Sequence, residues 1–93
     1  MSFRTILVKD NLLEMISEYY ALPGNEAGGP CHIVLDDFNV RDRNLEFCLK
    51  ACKEENDLMG IAIIENLMLL ETKVDRWRAI GLDEDRIKEL LED

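Results

Sequence analysis

The stretch GNEAGGPCHIVLDDFNV, Gly24 to Val40, decides how the rest of the chain is read. Three glycines and a proline break any regular structure at its start, so Gly24 to Pro30 reads as a loop. The next seven residues, CHIVLDD, hold a β-branched and apolar run between that loop and two acids, which fits a short strand. On a strand, side chains alternate faces, so His32, Val34 and Asp36 would share one side while Asp37 turns to the other. Asn39 then stands where a helix cap would, with Asp42 three residues on in the favourable first turn.

Downstream, NVRDRNLEFCLKACKEEN reads as a strong amphipathic helix with Leu45, Cys48, Leu49 and Cys52 at helical spacing. DLMGIAIIENLMLLE is apolar nearly all the way round, which suits the centre of a bundle or an interface between copies. A chain this short has little material to cover such a helix, so a homo-oligomer is expected. TKVDRWRAIG either continues that helix or forms a separate turn, ended by Gly81. LDEDRIKELLED is a short terminal helix capped by Asp83, with Leu82 and Ile87 placed as a hydrophobic staple. Upstream of the loop, KDNLLEMISEYYAL reads as a helix capped by Asn11 with Glu14 as its capping-box partner, stopped by Pro23 and Gly24. FRTILV, Phe3 to Val8, fits a short strand or an arm laid on the core. The expected architecture is one domain over residues 1–93: mostly α, a bundle of about four helices with room for a short two-stranded β element.

Composition bounds the function classes. A hydrophobic share of 47% is too high for a disordered chain. A net charge of −9 repels phosphate backbones and anionic lipid, so direct nucleic-acid binding is not expected. No secretory pattern opens the chain and no apolar run is long enough to span a bilayer, so the reading is a cytoplasmic protein without a membrane partner. The three cysteines, Cys31, Cys48 and Cys52, lack C-x-x-C spacing and read as reduced thiols.

Candidate chemistry concentrates in the opening stretch. His32 with Asp36 and Asp37 has the ingredients of an acid–base or metal site, although the chain offers no second histidine. Gly28 and Gly29 could present backbone N–H groups to an anion, yet GNEAGGP matches no phosphate-loop pattern and no lysine follows it. Cys31, Cys48, Cys52 and His32 make a Cys3His set by residue type, against which both helical cysteines lie on the apolar stripe, where core packing is the stronger reading. No complete catalytic set is present, so no catalytic residue, metal ligand or cofactor is assigned. The candidate ligand-binding residues are Gly28, Gly29, His32, Asp36, Asp37 and Asn39. Trp77, flanked by Arg76 and Arg78, is the candidate interface, since tryptophan and arginine are favoured at binding hot spots; a tryptophan closing the bundle core, with its flanking arginines in solvent, is the competing reading.

The positions Gly28, Gly29, His32, Ile33, Val34, Leu35, Asp36, Asp37 and Asn39 form a G-G-x-x-H-[IV]-V-L-D-D-x-N core, followed by an amphipathic helix. In this the chain resembles a group of small, uncharacterised phage and prophage proteins. The likeness is specific over about twenty-five residues, looser across the next helix pair, and covers neither the N-terminal segment nor Asp83 to Asp93. A glycine is common after the two aspartates in that group; here the residue is Phe38. The resemblance implies a phage origin, a bacterial host cytoplasm and a functional focus on Gly28 to Asn39, and it brings no activity. The expected function is therefore a non-enzymatic accessory protein, with a counter-defence role among its expected uses, that binds a host or phage protein or a small ligand. The alternative expectation is a small metal-dependent hydrolase built on His32, Asp36 and Asp37.

Overall fold

A computed structural model describes residues 3–92, with side chains described from residue 12 to residue 92. Six α-helices are present among the described residues: α1 (Phe3–Ala21), α2 (His32–Leu35), α3 (Asp42–Glu54), α4 (Leu58–Met68), α5 (Lys73–Ala79) and α6 (Glu84–Glu92). A single 3-10 turn, Gly29–Cys31, leads into α2. The helical class holds, with six helices rather than about four because α2 and α5 form as separate short helices, but the β element does not: among the described residues there is no strand. Phe3 onward belongs to the backbone of α1, and Asn11 lies inside that helix rather than capping it. CHIVLDD, the other expected strand, is instead the end of the 3-10 turn and the single turn of α2.

The centre of the molecule is the α3–α4 hairpin, with α1 laid across α4 and the Gly29–Leu35 segment against α3. The hairpin is tight because one residue serves two helices. Asp57 donates its N–H to the Cys52 carbonyl at 2.8 Å, and Asn56, at φ 56°, donates to Lys53, which together close α3 in a Schellman motif. The Asp57 carboxylate then accepts the Gly60 N–H at 3.0 Å and starts α4. Gly60 faces α3 so closely that a Cβ there would come within 2.7 Å of Cys52 Sγ. Leu45, Cys48 and Cys52 of α3 and Ile63, Ile64 and Leu67 of α4 are fully buried together with Leu12 and Tyr19 of α1. Three of the four α3 residues expected from the spacing are among them, and the fourth, Leu49, is half-buried against this core.

The C-terminal helices follow their caps. TKVDRWRAIG is a separate helix: Thr72 accepts the Asp75 N–H at 3.1 Å, and Gly81, at φ 99°, ends it in a second Schellman motif. Asp83 accepts the Arg86 N–H at 2.8 Å, so α6 starts where its sequence says it does. The expected cap at Asn39 is not used: the N-cap of α3 is Arg41, and the Asn39 N–H turns back to the Ile33 carbonyl.

Candidate functional site

The Gly24–Val40 stretch is built from consecutive turns, each closing on the one before: Leu22 on Tyr19, Asn25 on Leu22, Gly28 on Asn25 and Cys31 on Gly28. Tyr19 and Tyr20 of α1 pin this ladder. The buried Tyr19 hydroxyl donates to the Gly28 carbonyl at 2.9 Å, and the Tyr20 hydroxyl donates to Asp36 Oδ1 at 2.7 Å. Burial pushes both phenols above their ordinary range; for Tyr20 the hydrogen bond to the Asp36 carboxylate adds to it. Gly28 has to be glycine. Its φ is 77°, and a Cβ there would meet the His32 Cα at 2.8 Å and Asp36 Oδ2 at 2.7 Å. Gly28→Ala is expected to lose about 2–3 kcal/mol of stability. Gly24→Ala, at φ 88° but facing open space, is the control that carries the conformational cost alone, about 1 kcal/mol. Urea unfolding of the pair separates the two terms, and equal losses would show that the close contact at Gly28 costs nothing.

Within this stretch the residues proposed for acid–base chemistry do not assemble. His32, Asp36 and Asp37 are all exposed. On the helical turn His32 and Asp36 are four residues apart and share a face, but the bond Asp36 makes is to Tyr20. The three thiols are fully buried, with Cys31 Sγ 3.4 Å from Cys52 Sγ, while His32 is outside the core. Burial raises the pKa of all three thiols, which keeps them protonated and poor as ligands. Among the described residues no group of three or more His, Cys, Asp or Glu side chains is arranged to hold a metal ion.

The second half of the stretch is held from below. Phe38 adopts φ 59°, a conformation that a bulky side chain rarely takes. Two contacts hold it there: Trp77 Nε1–H donates to the Phe38 carbonyl at 2.8 Å, and the Arg86 guanidinium lies 5.5 Å from the centre of the Phe38 ring. Next to it Arg76, only 6% exposed, reaches across the molecule. Its Nε donates to the carbonyls of Leu67 (3.1 Å) and Leu70 (2.9 Å), its Nη1 to the carbonyl of Val40 (2.8 Å), and its Nη2 pairs with Asp42 at 2.7 Å. Of the expected interface trio, Arg76 and Trp77 thus lie inside the chain. Arg78 is exposed and engaged twice by Glu84, each contact at 2.9 Å.

A groove of about 380 Å³ results. Asp37, Asn39 and Arg41 of the loop line it together with Lys73 and Trp77 of α5 and Leu90 and Leu91 of α6. Lys73 Nζ sits 5.7 Å from the centre of the Trp77 ring. The structure therefore brings Asp37, Asn39 and Trp77 together, while Gly28, Gly29, His32 and Asp36 belong to the part of the stretch that the tyrosines brace. Lys73, Leu90 and Leu91 carry no sequence signal of this placement, because nothing local ties α5 and α6 to the loop. No family model, no curated protein and no solved structure matches the chain.

Proposed function

We propose that this chain acts by binding a partner protein, without catalysis, as a phage or prophage accessory protein. The observation that carries the reading is the Phe38 turn. A strained bulky residue is kept in place by the buried Trp77 and by Arg86, and strain of this kind persists where the surrounding structure over-determines it, often beside a ligand. The turn places Asn39 and Arg41 on a groove that the apolar Leu90 and Leu91 of α6 also line. Leu91 is 56% exposed there, and Arg41 and Lys73 supply cations in a chain that is otherwise strongly acidic. Such a lining suits a short peptide segment that carries a bulky apolar side chain next to a carboxylate. The phage origin and the host cytoplasm rest on the Gly28–Asn39 resemblance; among the described residues no helix is long and apolar enough to cross a membrane.

Selection of a random peptide library on the immobilised protein tests this. The expected result is a consensus that pairs an apolar with an acidic residue, with binding lost in Lys73→Glu and kept in Lys50→Glu. Enrichment of no consensus, or one indifferent to Lys73→Glu, would overturn the groove as the binding site.

A further inference from the structure

The outward face of α3 carries charges that make no ion pair among the described residues. Arg43, Phe47, Lys50 and Glu54 recur at four- and three-residue steps and form one exposed stripe, with Glu46 and Lys53 along one flank. Phe47 is 60% exposed. Among the described residues the ion pairs lie elsewhere, at Asp42–Arg76, around Arg78, and at Arg86–Glu89. Two shallow depressions, of about 430 and 390 Å³, meet along the Glu46–Lys50 ridge of this face.

We propose that this face pairs with itself, joining two copies of the chain through antiparallel α3 helices about a two-fold axis between residues 48 and 49. The order of charges selects that arrangement. Laid antiparallel on this axis, Arg43 of each copy meets Glu54 of the other, Phe47 lies on the aliphatic stem of Lys50, and on the flank Glu46 comes within reach of Lys53. Laid parallel, every residue would face its own like charge. The face is also one where two such chains can approach with little charge repulsion. It carries three cations and two carboxylates, in a chain whose net charge is −9, so other surfaces of two copies repel one another. One helix pair of this length buries an area at the small end of specific interfaces, so the dimer is a weak one, in micromolar exchange with monomer. The inference is independent of the groove, whose residues it does not use.

Sedimentation of the full chain from about 5 µM to about 1 mM tests it. The expected result is a concentration-dependent monomer–dimer equilibrium that weakens as salt is raised. Arg43→Glu sets two like-charge pairs across the axis and is expected to weaken the dimer at least about tenfold. The swap Arg43→Glu with Glu54→Arg restores opposite charges and is expected to recover it. The two positions are eleven residues apart on one helix, so recovery cannot come from within a copy. A monomer at every concentration, a dimer indifferent to Arg43→Glu, or a double variant as weak as the single one would each overturn the proposal. Circular dichroism of the exposed-site variants confirms that they fold.

Discussion

Arg76→Ala is expected to lose about 3–5 kcal/mol of unfolding free energy, most of what a domain of this size has. The arginine is the joint between three parts of the chain that are far apart in sequence: the end of α4, the loop at Val40 and the start of α3. Alanine would leave the carbonyls of Leu70 and Val40 without the Arg76 donor, at about 1 kcal/mol or more for each acceptor that water cannot reach, while Leu67 keeps the Leu70 N–H. It would also remove the buried stem that fills the space between them. The salt bridge is the smaller part. Asp42 has a side chain 81% exposed, so its carboxylate returns to water when the partner goes, and Asp42→Asn is expected to cost less than about 1 kcal/mol. Arg76→Lys falls between, because a single ammonium cannot reach three carbonyls on different sides. Urea unfolding of the three variants gives the order Arg76→Ala, Arg76→Lys, Asp42→Asn. An alanine variant within about 1 kcal/mol of the parent would show that the joint is not what holds the loop.

The second large effect is alkaline. Cys31, Cys48 and Cys52 are fully buried, and burial raises the pKa of each in the folded chain. In the unfolded chain a thiol titrates near about pH 8.5. Below that pH both states hold the proton and the cysteines have no linkage effect. Above it the unfolded state releases protons that the folded state keeps, so stability falls as pH rises toward the folded pKa values. Each thiol contributes up to about 1.4 kcal/mol per pH unit, and three together about 4 kcal/mol per unit. Tyr19 and Tyr20, whose pKa values are also raised, add to the fall above about pH 10. Urea midpoints are expected to hold steady from about pH 6 to 8 and drop steeply from about pH 9, ending in cooperative unfolding. Cys48→Ala removes one of the three titrating thiols and should reduce the slope by about a third, at a modest cost near neutrality. Midpoints that stay level to about pH 10 would mean that the thiols reach solvent in the folded chain.

Much of the helical architecture was legible locally. The α3 stripe, the Asp57 start of α4 and the Asp83 start of α6 each depend on residues within one or two turns of each other, and periodicity and capping act over that range. The strand expected at Cys31 to Asp37 failed for the opposite reason. Four apolar residues carry too little propensity to choose their own conformation, and the contacts that fold them into a helical turn come from α1 through Tyr19 and Tyr20 and from α3 behind them. Phe38 is the sharpest case. Its sequence argues against a positive φ, and the contacts that hold it there come from Trp77 and Arg86, thirty-nine and forty-eight residues later.

The candidate site divides along the same line. Composition and local pattern were enough to establish that the chain is acidic and mostly helical, and they pointed to the loop from Gly28 to Asn39. It took the packing of distant segments to make Arg76 and Trp77 internal supports, to spend Asp36 on Tyr20, and to close the groove with Lys73 and Leu91. Composition and period are summed over neighbours in the chain, so sequence carries them. A buried arginine and an exposed one have the same local signature, and only the packing of α4, α5 and the loop around Arg76 tells them apart.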